Sequence, residues 1–115
     1  MDENCLFCRI VAGIIPATIV YRDDTVTAFQ DIQPQAPVHV LIVPNEHVAS
    51  TNDLDERQDA TIGYLLRMTQ LVAREQGIAE SGYRLVVNTG ADAMQSVAHL
   101  HVHILGGRHL GWPPG

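Results

Sequence analysis

No lysine occurs among the 115 residues: all seven basic side chains are arginine, set against 13 acidic ones, for a net charge of -6. Gripping a nucleic-acid backbone needs clustered cations, so no nucleic-acid partner is expected. An anionic membrane surface is disfavoured on the same ground. Cysteine is scarce, with Cys5 and Cys8 as the only pair, too few for a secreted disulfide scaffold. Long apolar runs are missing too; those around positions 40–43 and 13–16 fall far short of the ~20 residues that span a bilayer. The opening Met1-Asp2-Glu3-Asn4 is acidic, where a secretory leader has a basic start and then an apolar stretch. These absences together predict a soluble, cytoplasmic protein. What is present is an apolar fraction of 46% with only 17% charged residues, a composition that builds a packed core. At this length one domain over residues 1–115 is expected.

The patterning alternates between strand and helix signals. Residues 6–12 read as a short helix ended by Gly13. Residues 18–21 and 25–29 are rich in β-formers and flank Arg22-Asp23-Asp24, a hairpin turn. Residues 38–43 read as a strand buried on both faces. Asp53, with Glu56 three positions later, predicts a helix N-cap. Ile62, Leu65, Met68, Leu71 and Val72 then form one apolar stripe on a long helix closed near Gly77. Residues 83–88 and 99–105 read as two further strands. Strands, one long helix and strands again predict an α+β domain on an antiparallel sheet.

Three of the six histidines fall in His99-Leu100-His101-Val102-His103. On a strand, alternation sets the three imidazoles on one face and Leu100 and Val102 on the other. Neighbours in such a row lie ~6.5–7 Å apart, close enough for one phosphate group to touch two. Three readings fit: a polar strand face, a three-histidine metal site, or covalent catalysis with the middle imidazole as nucleophile. Neutral imidazole attacks well near pH 7 because its unperturbed pKa is ~6.5, and its second nitrogen is free to fix the tautomer.

These residues carry a resemblance. His99-Leu100-His101-Val102-His103-Ile104-Leu105 is similar to the motif of the histidine-triad (HIT) superfamily. Phe29-Gln30-Asp31-Ile32, Pro34-Gln35-Ala36-Pro37 with His39, Tyr83-Arg84 with Val86-Val87-Asn88, Gln95-Ser96-Val97 and the ending Leu105-Gly106-Gly107-Arg108 with Trp112-Pro113-Pro114-Gly115 resemble its nucleotide-binding, HINT-type branch. The likeness runs over essentially the whole chain. It implies a HIT-like fold with a five-stranded antiparallel sheet, one long helix and a short N-terminal helix.

The resemblance also implies an activity: hydrolysis of the P–N bond of purine nucleoside phosphoramidates, including AMP-amines, with aminoacyl-adenylates also accepted. By position, His101 is then the nucleophile, supported by His103 and His39, with Ser96 near the leaving group. Gln95 and Ser96 border the phosphate, together with His101 and His103, and Asn88 lies at the site. Asp31 takes the ribose hydroxyls, a carboxylate being suited to a pair of donors. Phe29 and Ile32 wall the purine. Dinucleoside polyphosphate hydrolysis, the chemistry of the sibling branch, is the alternative; the absence of lysine and the Trp112-Pro113-Pro114 ending weigh against it. A zinc-stabilised nucleotide-binding module of low turnover is another. The chain departs from the family pattern at Gln30, often a histidine, and at Ala93-Met94, usually two glycines.

Cys5-x-x-Cys8 fits half of a tetrahedral zinc site; a redox pair and two buried thiols are the other readings. Some HIT relatives that share this CxxC complete a structural zinc site with a histidine three residues after a proline and the first triad histidine, here His47 and His99. Family members are commonly homodimers, and in HINT-type relatives the tail reaches the partner's pocket, which gives Trp112 a place on the amine side.

Overall fold

Residues 3–115 are described in the computed structural model; Met1 and Asp2 of the acidic opening lie outside them. Helix α1 (Leu6–Val11) is followed by strands β1 (Ile19–Arg22), β2 (Val26–Gln30) and β3 (Val38–Pro44), then helix α2 (Asp59–Glu75), β4 (Tyr83–Val86) and β5 (Val102–Gly106). The strands form one sheet in the order β1-β2-β3-β5-β4, with every neighbouring pair antiparallel. The architecture is the α+β arrangement expected, with five strands, one long helix and a short N-terminal one.

β3 is central, and its apolar run is buried on both faces. Alternation assigns the faces. Val40 and Ile42 join Val26, Ala28, Val102 and Ile104 under the Leu65, Met68, Val72 and Ala73 stripe of α2. Leu41 and Val43 face the other way and pack with Phe29 against Phe7 and Ile10 of α1. Burying a large aliphatic or aromatic side chain contributes roughly 1.5–3 kcal/mol, so α1, only six residues long, is held by packing and not by helix propensity.

Two boundaries differ from the sequence reading. The cap preceding α2 is Asp55, which accepts the Arg57 amide and shares a capping box with Gln58 over a short 3₁₀ turn. Asp53 lies in a separate 3₁₀ turn and accepts the Ser50 hydroxyl instead. Strand β5 starts only at Val102, and its ladder to β3 ends at the pair Val102 and Ile42. His99 and His101 therefore sit in the bend leading into the strand, and only His103 is within it. The cause is His99: its imidazole turns inward and bonds the Pro44 carbonyl oxygen at 2.8 Å, which draws the chain off the ladder. Likewise β4 stops at Val86, leaving Asn88 in the following loop.

Candidate active site and metal centre

The register of the sheet builds the floor of a cavity. Phe29 opposes Leu41, and Leu41 opposes His103, so the three side chains form a row across β2, β3 and β5 on the α1 face. Phe7 and Ile10 supply one wall. The resulting cavity is about 370 Å³, mostly apolar, and brings together Phe29, Asp31, Ile32, Ser96, His101 and His103. Of the residues expected there, His39 lies behind His103, bonded to it. Asn88 and Gln95 do not line the cavity. Gln95 is engaged with backbone: its Nε2 donates to the carbonyl oxygens of Ala49 and Val97 at 2.8 and 3.0 Å, and its Oε1 accepts the Gly90 amide. No arginine lines the cavity. Arg108 donates to the carbonyl oxygens of Gln35 and His109.

Hydrogen bonds fix the imidazole tautomers. A carbonyl oxygen only accepts, so the 2.8 Å contact between His101 Nδ1 and the His99 carbonyl puts the proton on Nδ1. The Nε2 lone pair of His101 is left for the cavity, with no partner among the described residues. The backbone amide of Gln35 donates to His39 Nδ1 at 3.0 Å, so His39 carries its proton on Nε2. That nitrogen is 2.9 Å from His103 Nδ1, which accepts and leaves His103 with an Nε2–H donor. Burial holds His39 below the ordinary imidazole range, countered by the Asp31 carboxylate. His103 is pushed down to about 4, by burial first and then by its neighbours His101 and His39. Near neutral pH His103 is thus an uncharged donor. The His101 and His103 rings stand edge to face, with centroids 5.0 Å apart.

His99 belongs to a second cluster. Its Nδ1 is 3.3 Å from Cys5 Sγ, 3.5 Å from Cys8 Sγ and 3.2 Å from His47 Nδ1, and His47 Nδ1 is 3.4 Å from Cys8 Sγ. Bonds of ~2.3 Å to sulfur and ~2.0–2.1 Å to nitrogen in a tetrahedron place donor atoms ~3.3–3.8 Å apart. The four side chains fit a zinc ion, and burial lowers the pKa of His99, favouring the neutral ligand form. The Nε2–H bond to Pro44 orients His99 from behind, as ligating histidines require. One peptide unit therefore links both sites: the His99 side chain faces the sulfurs while its carbonyl holds His101.

Two elements of the site were not apparent from sequence. The Gln35 amide and the His99 carbonyl are backbone groups, and residue type carries no signal for them. Phe7 and Ile10 had one, the three-residue apolar spacing on α1.

The chain is similar to known proteins along nearly its whole length. The HIT domain family model matches residues 12–110. Over 111 residues the chain is 46% identical to a protein of Escherichia coli K12 named purine nucleoside phosphoramidase, covering 96% of this chain and 93% of that one. It is also 46% identical over 116 residues to a 14 kDa zinc-binding protein of Zea mays, covering 99% and 90%. Among solved structures, a HIT family hydrolase from Legionella pneumophila Philadelphia 1 superposes with a TM-score of 0.95 at 46% identity, over 97% of this chain and 100% of that one.

Proposed function

Because this chain belongs to the HIT family, we propose that it is a hydrolase of purine nucleoside phosphoramidates, acting as a single domain through a nucleotidyl intermediate on His101. The observation that carries this is the His101 tautomer: Nδ1–H is held by the His99 carbonyl at 2.8 Å, which leaves Nε2 the lone pair, on a residue that lines an apolar cavity of about 370 Å³.

In the first step Nε2 of His101 attacks phosphorus, the P–Nε2 bond forms and the P–N bond to the amine breaks. The amine leaves with a proton, and Ser96 at the cavity edge is the hydroxyl placed to hand it on. His103 donates Nε2–H to a phosphoryl oxygen. In the second step water attacks phosphorus, one of its protons restores the Ser96 hydroxyl, the P–Nε2 bond to His101 breaks, and the nucleoside monophosphate is released. Phe29 and Ile32 take the purine faces, Asp31 the ribose hydroxyls, and Gln95 holds the loop that presents Ser96. Asn88, in the loop beyond β4, is assigned to the nucleotide by the resemblance alone.

Zinc at Cys5, Cys8, His47 and His99 supplies a fixed structural brace and no chemistry of the reaction. The chain works as a homodimer, with the 81% exposed Trp112, under the Arg84 guanidinium, available to the partner.

The test is turnover of adenosine 5′-phosphoramidate beside His101→Ala and His101→Asn, with alkaline quenching to trap adenylylated protein, because a P–N bond to imidazole survives base and not acid. We expect brisk hydrolysis, label on His101, and a loss of roughly three or more orders of magnitude in both variants. Equal rates in parent and variants sink the nucleophile. AMP binding without turnover identifies a binding module, and preference for diadenosine polyphosphate identifies the sibling chemistry.

A further inference from the structure

Asp31 is closer to the catalytic histidines than a sugar ligand needs to be. Its backbone amide bonds the His39 carbonyl at 3.0 Å, which pins the two residues side by side. Its Oδ1 accepts the Gln33 amide at 2.8 Å. Its Oδ2 is 3.4 Å from His39 Nε2.

His39 has one proton to give. Nδ1 is occupied as an acceptor by the Gln35 amide, so the proton is on Nε2. Two acceptors compete for it, His103 Nδ1 at 2.9 Å and the Asp31 carboxylate. A charged acceptor draws an N–H more strongly than a neutral one, and a shared N–H is misaligned for both. While Asp31 is unsatisfied, it weakens the bond that makes His103 an Nε2–H donor. The same three residues are close enough to suggest a cation site, but the Gln35 amide keeps His39 Nε2 protonated, without a lone pair for a metal.

We propose, resting on the nucleotide reading above, that Asp31 is a positioning residue as well as a ribose ligand. Two hydroxyls donating to its carboxylate release the His39 N–H to His103, and so fix His103 as the donor that meets the phosphoryl oxygen. Sugar recognition then acts on kcat as well as on KM.

Two measurements on the full chain test this. With adenosine 5′-phosphoramidate and its 2′,3′-dideoxy counterpart, the parent should lose about tenfold or more in kcat on the dideoxy substrate beyond any rise in KM. In Asp31→Ala, and in Asp31→Asn, which keeps the volume, the two substrates should share a kcat within about twofold. A parent whose kcat is indifferent to the hydroxyls overturns the proposal. The second measurement is imidazole NMR with AMP as the probe, which needs no turnover. AMP should move the His39 Nε2 proton and the His103 Nδ1 resonances in the parent and leave them in place in Asp31→Ala. Shifts at Phe29 and Ile32 with none at His39 overturn the coupling alone. No shift at any cavity residue overturns the nucleotide reading itself.

Discussion

The side-chain amide of Gln95 donates to the carbonyl oxygen of Ala49, 46 residues earlier, at 2.8 Å. With its bonds to Val97 and Gly90 it ties the loop carrying Ser96 to the segment that follows β3. Gln95→Ala removes all three bonds and leaves backbone groups without partners. We expect a loss of about 1–3 kcal/mol in denaturant unfolding and a fall in kcat larger than the change in KM. A variant with parental kcat would confine Gln95 to stability.

The peptide joining the two clusters couples Cys5, Cys8, His47 and His99 to the orientation of His101. Cys8→Ser, or chelation of the parent, is expected to remove zinc and lower the melting temperature by about 10 °C or more, the equivalent of roughly 2–3 kcal/mol. Because the His99 carbonyl orients His101, kcat should fall alongside. Elemental analysis and calorimetry on the same preparations check this; a metal-free parent with an unchanged melting curve after chelation rejects the centre.

Acid should weaken the fold before it protonates the folded site. His103 titrates near 4 in the folded protein and near ~6.5 in the unfolded chain. Between those values the unfolded state binds the extra proton, so stability falls as the pH drops through that window and is fully retained above it. His39 is shifted the same way and adds to the slope. Unfolding midpoints between pH 7 and pH 4 should decline less steeply in His103→Asn than in the parent. Equal slopes would remove His103 from the account.

Met94 occupies a left-handed conformation, φ 61°, with its side chain 83% exposed. An L-residue there costs about 1 kcal/mol or more, which glycine avoids while giving more freedom to the unfolded chain. Met94→Gly should therefore be neutral or stabilising by up to about 1 kcal/mol, and Met94→Val, β-branched at a positive φ, clearly destabilising. Denaturation midpoints in the order glycine, methionine, valine are expected; valine at or above methionine contradicts the strain.

The fold was largely legible because its signals are periodic. The stripe at Leu65, Met68 and Val72 and the run at 38–43 mark α2 and β3 by spacing alone. The triad was legible as a motif but not as geometry. Alternation makes His99, His101 and His103 one row, whereas the chain bends at His99 and turns that imidazole to the cysteines, where the resemblance had placed it and periodicity had not. The α2 cap lies two residues beyond the expected one because Asp53 with Glu56 and Asp55 with Gln58 are equally good capping boxes in sequence; the fold forms the second. The bonds of Gln95 to Ala49, Val97 and Gly90 were not legible, because a motif does not reveal which way a side chain turns.

Ile32 lines the cavity yet is 93% exposed. In the free protein water wets almost all of this side chain, held at the mouth by the Asp31 turn. Any flat ring that settles against it dehydrates a surface the fold left uncovered. Heat capacity should drop on complex formation, by less in Ile32→Ala, so calorimetric titrations at several temperatures would register the purine's arrival through the solvent it displaces.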